Sequence, residues 1–227
     1  MKSELRSPAT SRRPAPRPER RPYRQSARLE STAATGRRII DAFVKLTQDV
    51  WYDQLTLNDV AEHAGVSVQS VIRRFGGKDG LISAVIAQVG GDIGARRAAA
   101  PGDVEASLAG LFDVYEEHGN GVIRNLAQES RYPELQRIVE FGRREHRRIT
   151  AETYAPWLDR LDGAARQQAL DALVIATDIY VWKLLRRDMG RSLAQTKAAV
   201  LRLINAVLVE HTGMSIRKGK KRRNERP

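Results

Sequence analysis

LTLNDVAEHAGVSVQSVIRRFGGK, residues 55–78, reads as two short helices joined by a tight turn. Thr56 is placed to cap a helix over Leu57 to Ala64, with Asp59 three residues on in the position of a capping box. Leu57, Val60, Ala61 and Ala64 recur at helical spacing, and Ala61 is small enough for a second helix to cross closely. Gly65 accepts the left-handed conformation that a short inter-helix turn requires, and Val66 after it drops between the helices. Ser67 then caps a second helix, Val68 to Arg74. Val71 and Phe75 point inward there, leaving Val68, Gln69, Ser70, Ile72, Arg73 and Arg74 on or near the outer face. An amide, a hydroxyl and two guanidiniums on one face suit base edges and phosphates. Gly76 and Gly77 break the helix, and Lys78 opens the next one within reach of a phosphate.

Working outward, a first helix over about Thr32 to Val50 carries Ile39, Ile40, Phe43, Leu46 and Val50 on one stripe and packs on the hairpin. A fourth helix is expected from Asp79 to about Ile93, loosened by Gly90, Gly91 and Gly94. Residues 96–103, RRAAAPGD, read as a hinge. Beyond it, start and stop signals predict helices over 103–118, ended by Gly119 and Gly121, then 121–130 and 133–155, then 162–188 and 192–211. The last begins with a Ser192–Gln195 capping box. No strand-like alternation occurs. The expected fold is all-α, with an N-terminal three-helix helix-turn-helix DNA-binding domain and a C-terminal helical domain for ligand binding and dimerisation.

The residues of this hairpin resemble the TetR family of transcriptional regulators. The likeness covers about residues 35–92: Arg38, Ile39 and Ala42, then Leu55-Thr56, Val60-Ala61 and Ala64-Gly65-Val66-Ser67, then Phe75 and Lys78-Asp79-Gly80-Leu81. It departs where the family usually has a Tyr and, two residues later, a His, since Ile72 and Arg74 stand here. The usual Pro-Ser or Pro-Asn before the Lys is Gly76-Gly77, and Val50-Trp51-Tyr52 replaces the customary Gly near the end of the first helix. The resemblance implies a homodimer on a palindromic operator, released when a small molecule binds the second domain. Gln69, Ser70 and Arg73 would touch bases or the groove, and Thr56, Arg74 and Lys78 phosphates.

Charge divides the chain into three. The net charge is +12, yet residues 1–30 hold nine Lys or Arg against three Asp or Glu, and residues 215–227 seven against one. Residues 31–214 therefore carry 23 of each sign and are formally neutral. The Pro- and Arg-rich segment 1–30 and the tail 215–227 are too poor in apolar residues to fold and are expected as disordered basic arms adding salt-sensitive affinity for DNA. Between them, 31–95 is expected as the DNA-binding domain and 96–214 as the effector-binding and dimerisation domain.

Two stripes support dimerisation: Leu170, Leu173, Val174, Thr177, Val181, Leu184 and Leu185 within 162–188, and Val200, Leu201, Ile204, Val207, Leu208 and His211 within 192–211. Apolar residues spill beyond both, among them Ile175, Ile179, Trp182 and Leu203, and a helix apolar on more than one side must bury more than one side. Two recognition helices of such a dimer would meet successive major grooves about 34 to 36 Å apart. An effector pocket is expected among Phe112, Tyr115, Phe141, His146, Trp157, Asp178 and Trp182, aromatic walls with a few polar groups. Asp178 interrupts the run LVIATDIYVW and needs a partner if buried.

Other classes find little support. The chain has no cysteine, the four histidines fall on separate segments without zinc spacing, and no phosphate loop follows a strand. Neither a catalytic constellation, a cofactor nor a metal is expected. Without a signal sequence or an apolar span, the expected location is the cytoplasm. Two alternatives stay open: a nonspecific binder driven by its tails, and a ligand- or protein-interaction module with a degenerate hairpin.

Overall fold

The structure, a computed structural model, describes residues 21–216, with side chains from residue 30 onward. Its elements are α1 (Arg21–Leu46), α2 (Leu57–Ala64), α3 (Val68–Phe75), α4 (Lys78–Arg97), α5 (Val104–Gln128), α6 (Pro133–Thr153), α7 (Ala155–Leu158), α8 (Gly163–Ala176), α9 (Ile179–Lys183) and α10 (Leu193–Thr212). A π-helical turn, Leu184–Asp188, continues α9. Among the described residues there is no strand, and the fold is all-α as the periodicity predicts.

Two apolar cores organise these helices. The first gathers Ile39, Ile40 and Phe43 of α1, Val60, Ala61 and Ala64 of α2, Val71 of α3 and Leu81, Ile82 and Val85 of α4, with Leu135 reaching in from α6. The second joins Leu108, Leu111 and Phe112 of α5 to Trp157 of α7, Leu170 and Leu173 of α8, Trp182 of α9 and Val200, Ile204 and Leu208 of α10. Helix α4 runs from one core to the other. Its first half is in the N-terminal core, and Ile93 near its end packs against the C-terminal one.

Several expected boundaries shift. Helix α1 starts at Arg21, not near Thr32, so the last ten residues of the expected arm, 21–30, are helical. Pro22 falls in its first turn, where a missing N–H costs nothing, and the residues after it are free of further proline. The other parts of the expected arm and tail, 1–20 and 217–227, lie outside the described residues. At its other end α1 stops at Leu46, because Thr47 Oγ1 and Gln48 Nε2 fold back to donate to the Val44 carbonyl at 2.6 and 3.3 Å.

The helices expected over 103–118 and 121–130 are one, α5. Gly119 and Gly121 do not stop it: a Cβ at Gly119 would strike the Trp182 ring, and one at Gly121 would meet the Gln48 side chain. These glycines admit neighbours. Gly90, Gly91 and Gly94 likewise lie inside α4, which reaches Arg97, and the Phe141 ring lies against Gly90. The helix expected over 162–188 is instead interrupted at Thr177-Asp178. Thr177 Oγ1 donates to the Leu173 carbonyl at 2.8 Å, and Asp178 Oδ1 accepts from Tyr180 N at 2.9 Å as the N-cap of α9.

Candidate functional site

The hairpin forms as its sequence dictates. Thr56 Oγ1 accepts from Asp59 N at 3.2 Å while Asp59 Oδ2 accepts from Thr56 N at 2.8 Å, closing the capping box. The same hydrogen bonds hold the Asp59 carboxyl below its ordinary range. Gly65 has φ 64° and ψ 44°, and its N–H turns back to the end of α2. Ser67 Oγ accepts from Ser70 N at 3.3 Å and starts α3. Val71 is fully buried, which fixes the rotation of α3 about its axis.

That rotation sorts the eight side chains expected at DNA. Gln69, Ile72 and Arg73 are exposed and share one face at i, i+3 and i+4. Ile72, 47 % exposed, is a large apolar group held outward beside an amide and a guanidinium. Val68 packs partly against the core, and the Ser70 hydroxyl lies 3.0 Å from that of Ser67. Thr56 Oγ1 is occupied by Asp59, to which it also donates at 2.7 Å. Arg74, also exposed, turns its guanidinium toward α1, where it occupies the space a Cβ at Gly36 would need.

Lys78 departs furthest from expectation. Its Nζ donates to the carbonyls of Tyr52 and Leu55 at 2.7 and 3.1 Å and lies 4.1 Å from the centre of the Tyr52 ring. The ammonium therefore fastens the α1–α2 loop to the start of α4 instead of reaching outward. Burial lowers its pKa, against the opposing charges of Glu134 and Asp53. Tyr52 in turn donates to Glu134 Oε1 at 2.7 Å, so the clamp extends to α6. An Asp79–Arg137 ion pair makes a second tie between α4 and α6.

Further along α4 a cavity of about 270 Å³ opens between α4, α5, α6 and the α8–α9 junction. Of the seven residues expected around an effector, Tyr115, Phe141, His146 and Asp178 line it. Phe112, Trp157 and Trp182 do not: they are at most 1 % exposed and fill the C-terminal core. Trp182 Nε1 donates to Glu116 Oε1 at 2.8 Å, and Arg186 grips the same carboxylate with Nε and Nη2, both at 2.7 Å. Asp178, expected to need a partner if buried, accepts from the Tyr180 amide.

At the polar end of the cavity the expected His146 and Tyr115 are joined by Arg97 and Thr177, which the sequence did not place there. Arg97, taken in sequence for part of the hinge, is 8 % exposed and lines the cavity. Its Nη2 is 2.9 Å from His146 Nδ1, and a guanidinium can only donate, so Nδ1 accepts. The imidazole proton is then on Nε2, which points to the Val174 carbonyl at 3.3 Å and to Thr177 Oγ1 at 3.2 Å. Burial first, then the Arg97 charge, pushes the His146 pKa down to about 4. Tyr115 donates to the Thr177 carbonyl at 3.1 Å, closing the polar group. One sequence signal pointed here: Val85, Val89, Ile93 and Arg97 recur every four residues, placing the arginine on the apolar stripe of α4.

The buried helix-turn-helix core and the outward Gln69–Ile72–Arg73 face define a DNA-binding head joined through α4 to a hollow helical body. Residues 39–85 match the family model for bacterial regulatory proteins of the tetR family, which supports reading this head as the DNA-binding domain of a transcription regulator of that kind. No curated protein gives a significant match. No helix among the described residues is long and apolar enough to cross a membrane.

Proposed function

We propose that the protein is a homodimeric cytoplasmic repressor that reads a palindromic operator through α3 and is released when a small molecule enters the cavity walled by α4. The observation that carries this reading is the reach of α4. Its first residue, Lys78, is fastened to the loop that precedes α2, while its last, Arg97, closes the cavity. A ligand that displaces the far end of this helix displaces the reading head, provided it binds the DNA-incompetent arrangement more tightly than the competent one. Gln69, Ile72 and Arg73 are the groups offered to the major groove. Val68, Ser70, Thr56, Arg74 and Lys78 act by shaping and holding α3, and backbone N–H groups near its start remain available for phosphates.

Exposed apolar side chains support the dimer. Ile175 of α8, Tyr180 of α9, Leu184 of the π turn and Leu203 and Val209 of α10 are all large and exposed, Ile175 by 66 %. A pair of such surfaces buried face to face gives the usual symmetric interface.

The test is fluorescence anisotropy of the full chain against its own upstream DNA and a scrambled duplex over a range of salt. Selective binding that Arg73→Ala weakens by about tenfold or more, with little change on the scrambled duplex, is the expected result. Equal binding to both duplexes with a steep salt slope would favour the tail-driven alternative. Sedimentation of the same protein, with Ile175→Glu as control, tests the dimer.

A further inference from the structure

The cavity ends on a cation that the fold does not neutralise. Arg97 is 8 % exposed, its Nε is buried without a hydrogen-bond partner, and Nη2 donates only to the neutral His146 ring. Among the described residues no carboxylate lies within ion-pairing distance of it. Glu145, whose charge is felt at Arg97, is not paired with it and accepts from Arg148 at 2.8 Å, and Asp178 caps α9. Arg143, the other cation of the lining, is held in a two-point pair with Glu129 at 2.6 and 2.7 Å. The carbonyls at the C-terminal end of α4 favour a positive charge there, but such an end carries only about half an elementary charge. A buried guanidinium with idle donors is costly unless a partner arrives.

We infer that the cavity takes a monocarboxylate with an apolar body, its carboxylate seated on Arg97. This rests on the proposal that the cavity is the effector site. The planar guanidinium presents parallel N–H groups that match the two oxygens of a carboxylate, and one negative charge balances one cation. A dianionic phosphate ester would leave a second charge among Val89, Ile93, Leu126, Ile138 and Phe141. At about 270 Å³ the space is near the lower end of small-ligand sites, which run from about 300 Å³ upward, so the apolar body is short. Because Arg97 is the last residue of α4, the carboxylate bears directly on the helix that carries the head. His146 holds one N–H of Nη2, and the remaining N–H groups of the guanidinium are the donors left for the carboxylate.

The experiment is isothermal titration of the full chain with two matched pairs of probes, octanoate with 1-octanol and 4-phenylbutyrate with 4-phenylbutanol. Wild type, Arg97→Met and Arg97→Lys are compared. The expected result is that at least one acid binds wild type about tenfold or more tightly than its alcohol, and that Arg97→Met removes this preference while the alcohol binds as before. Arg97→Lys retains charge without the fork and keeps part of the preference, and it supplies the comparison if Arg97→Met does not fold. Equal binding of acid and alcohol to wild type, or a preference for acid that survives in the folded variants, overturns the carboxylate assignment while leaving the cavity as an apolar ligand site. Failure of all four probes to bind wild type overturns the effector cavity and the carboxylate with it.

Discussion

Helix α4 begins and ends on a cation withdrawn from solvent, and its two ends are built differently. At the head end Lys78 has two carbonyls and an aromatic face around its ammonium, and Gly80 lies so close to the Phe75 carbonyl that a Cβ could not be added. At the body end Arg97 has one partner, a neutral imidazole, and Gly94 faces open space within the cavity. A saturated cation in close packing fixes the geometry of its neighbours. An unsaturated one beside a void leaves the geometry to be completed by something else. The contrast assigns rigidity to the end that orients α3 and adaptability to the end that meets a ligand.

The largest expected effect tests the rigid end. In Gly80→Ala the new methyl would run into the backbone oxygen of Phe75, which no side-chain rotation relieves, so the α3–α4 turn must open. The loss should be about 3 kcal/mol, at the upper end for overpacking, with operator binding lost in parallel. Urea unfolding measures it. A variant within about 0.5 kcal/mol of wild type would break the claim that this end is tightly packed.

Next in size is a pH dependence at the adaptable end. His146 ordinarily titrates near 6.5, and burial followed by the Arg97 charge takes it to about 4, so between those values the unfolded chain binds a proton that the native state refuses. Stability from this group is therefore complete above 6.5 and is lost as the pH falls toward 4, by up to about 3 kcal/mol. Glu116, drawn down to about 2 chiefly by its hydrogen bond from Arg186, adds its loss only below its ordinary 4.5, in a separate window. Denaturant midpoints between pH 7 and 4.5, with His146→Gln as reference, isolate the histidine. Parallel curves for the two proteins would mean that the imidazole is not held neutral.

A direct comparison of the two cations comes third. Lys78→Met leaves the Tyr52 and Leu55 carbonyls without their donor and should cost about 2 kcal/mol. Arg97→Met removes an uncompensated charge and strands only His146 Nδ1, so the free protein should change by less than about 1 kcal/mol in either direction. Thermal melts of both variants without ligand decide the matter, and equal losses would erase the distinction.

The head was legible because its signals are local. Thr56 with Asp59, Gly65 and Ser67 each act within a few residues of themselves, and α2 and α3 follow from them. What escaped depends on contacts distant in sequence. The same letter marks Gly65, which turns the chain, and Gly119, which makes room for Trp182, and only the packing of α9 on α5 separates these roles. Lys78 read as an outward cation because nothing nearby in sequence announces that Tyr52 and Leu55 turn their carbonyls toward it. Phe112, Trp157 and Trp182 were placed around the cavity by residue type, yet large aromatics are as much core builders as ligand walls. Arg97 lay hidden in a segment read as a hinge, although its four-residue register with Val85, Val89 and Ile93 put it on the buried side of α4.

The smallest effect sharpens the contrast most, because it compares neighbours on one helix. A Cβ at Gly94 meets nothing within 4 Å, whereas one at Gly90 would collide with the Phe141 ring. Within a helix Ala is favoured over Gly by about 0.5–1 kcal/mol, so Gly94→Ala should stabilise the free protein by that amount. Gly90→Ala should destabilise it, since the ring must move. The Gly94 methyl would also project into the cavity, so octanoate should bind this more stable variant more weakly than wild type. Opposite signs for stability and affinity are what a hollow wall gives, because a methyl that fills ligand space costs the free protein nothing. If Gly94→Ala instead lowers the urea midpoint, that face of α4 is already filled, and the two ends of the helix do not differ in the way their glycines indicate.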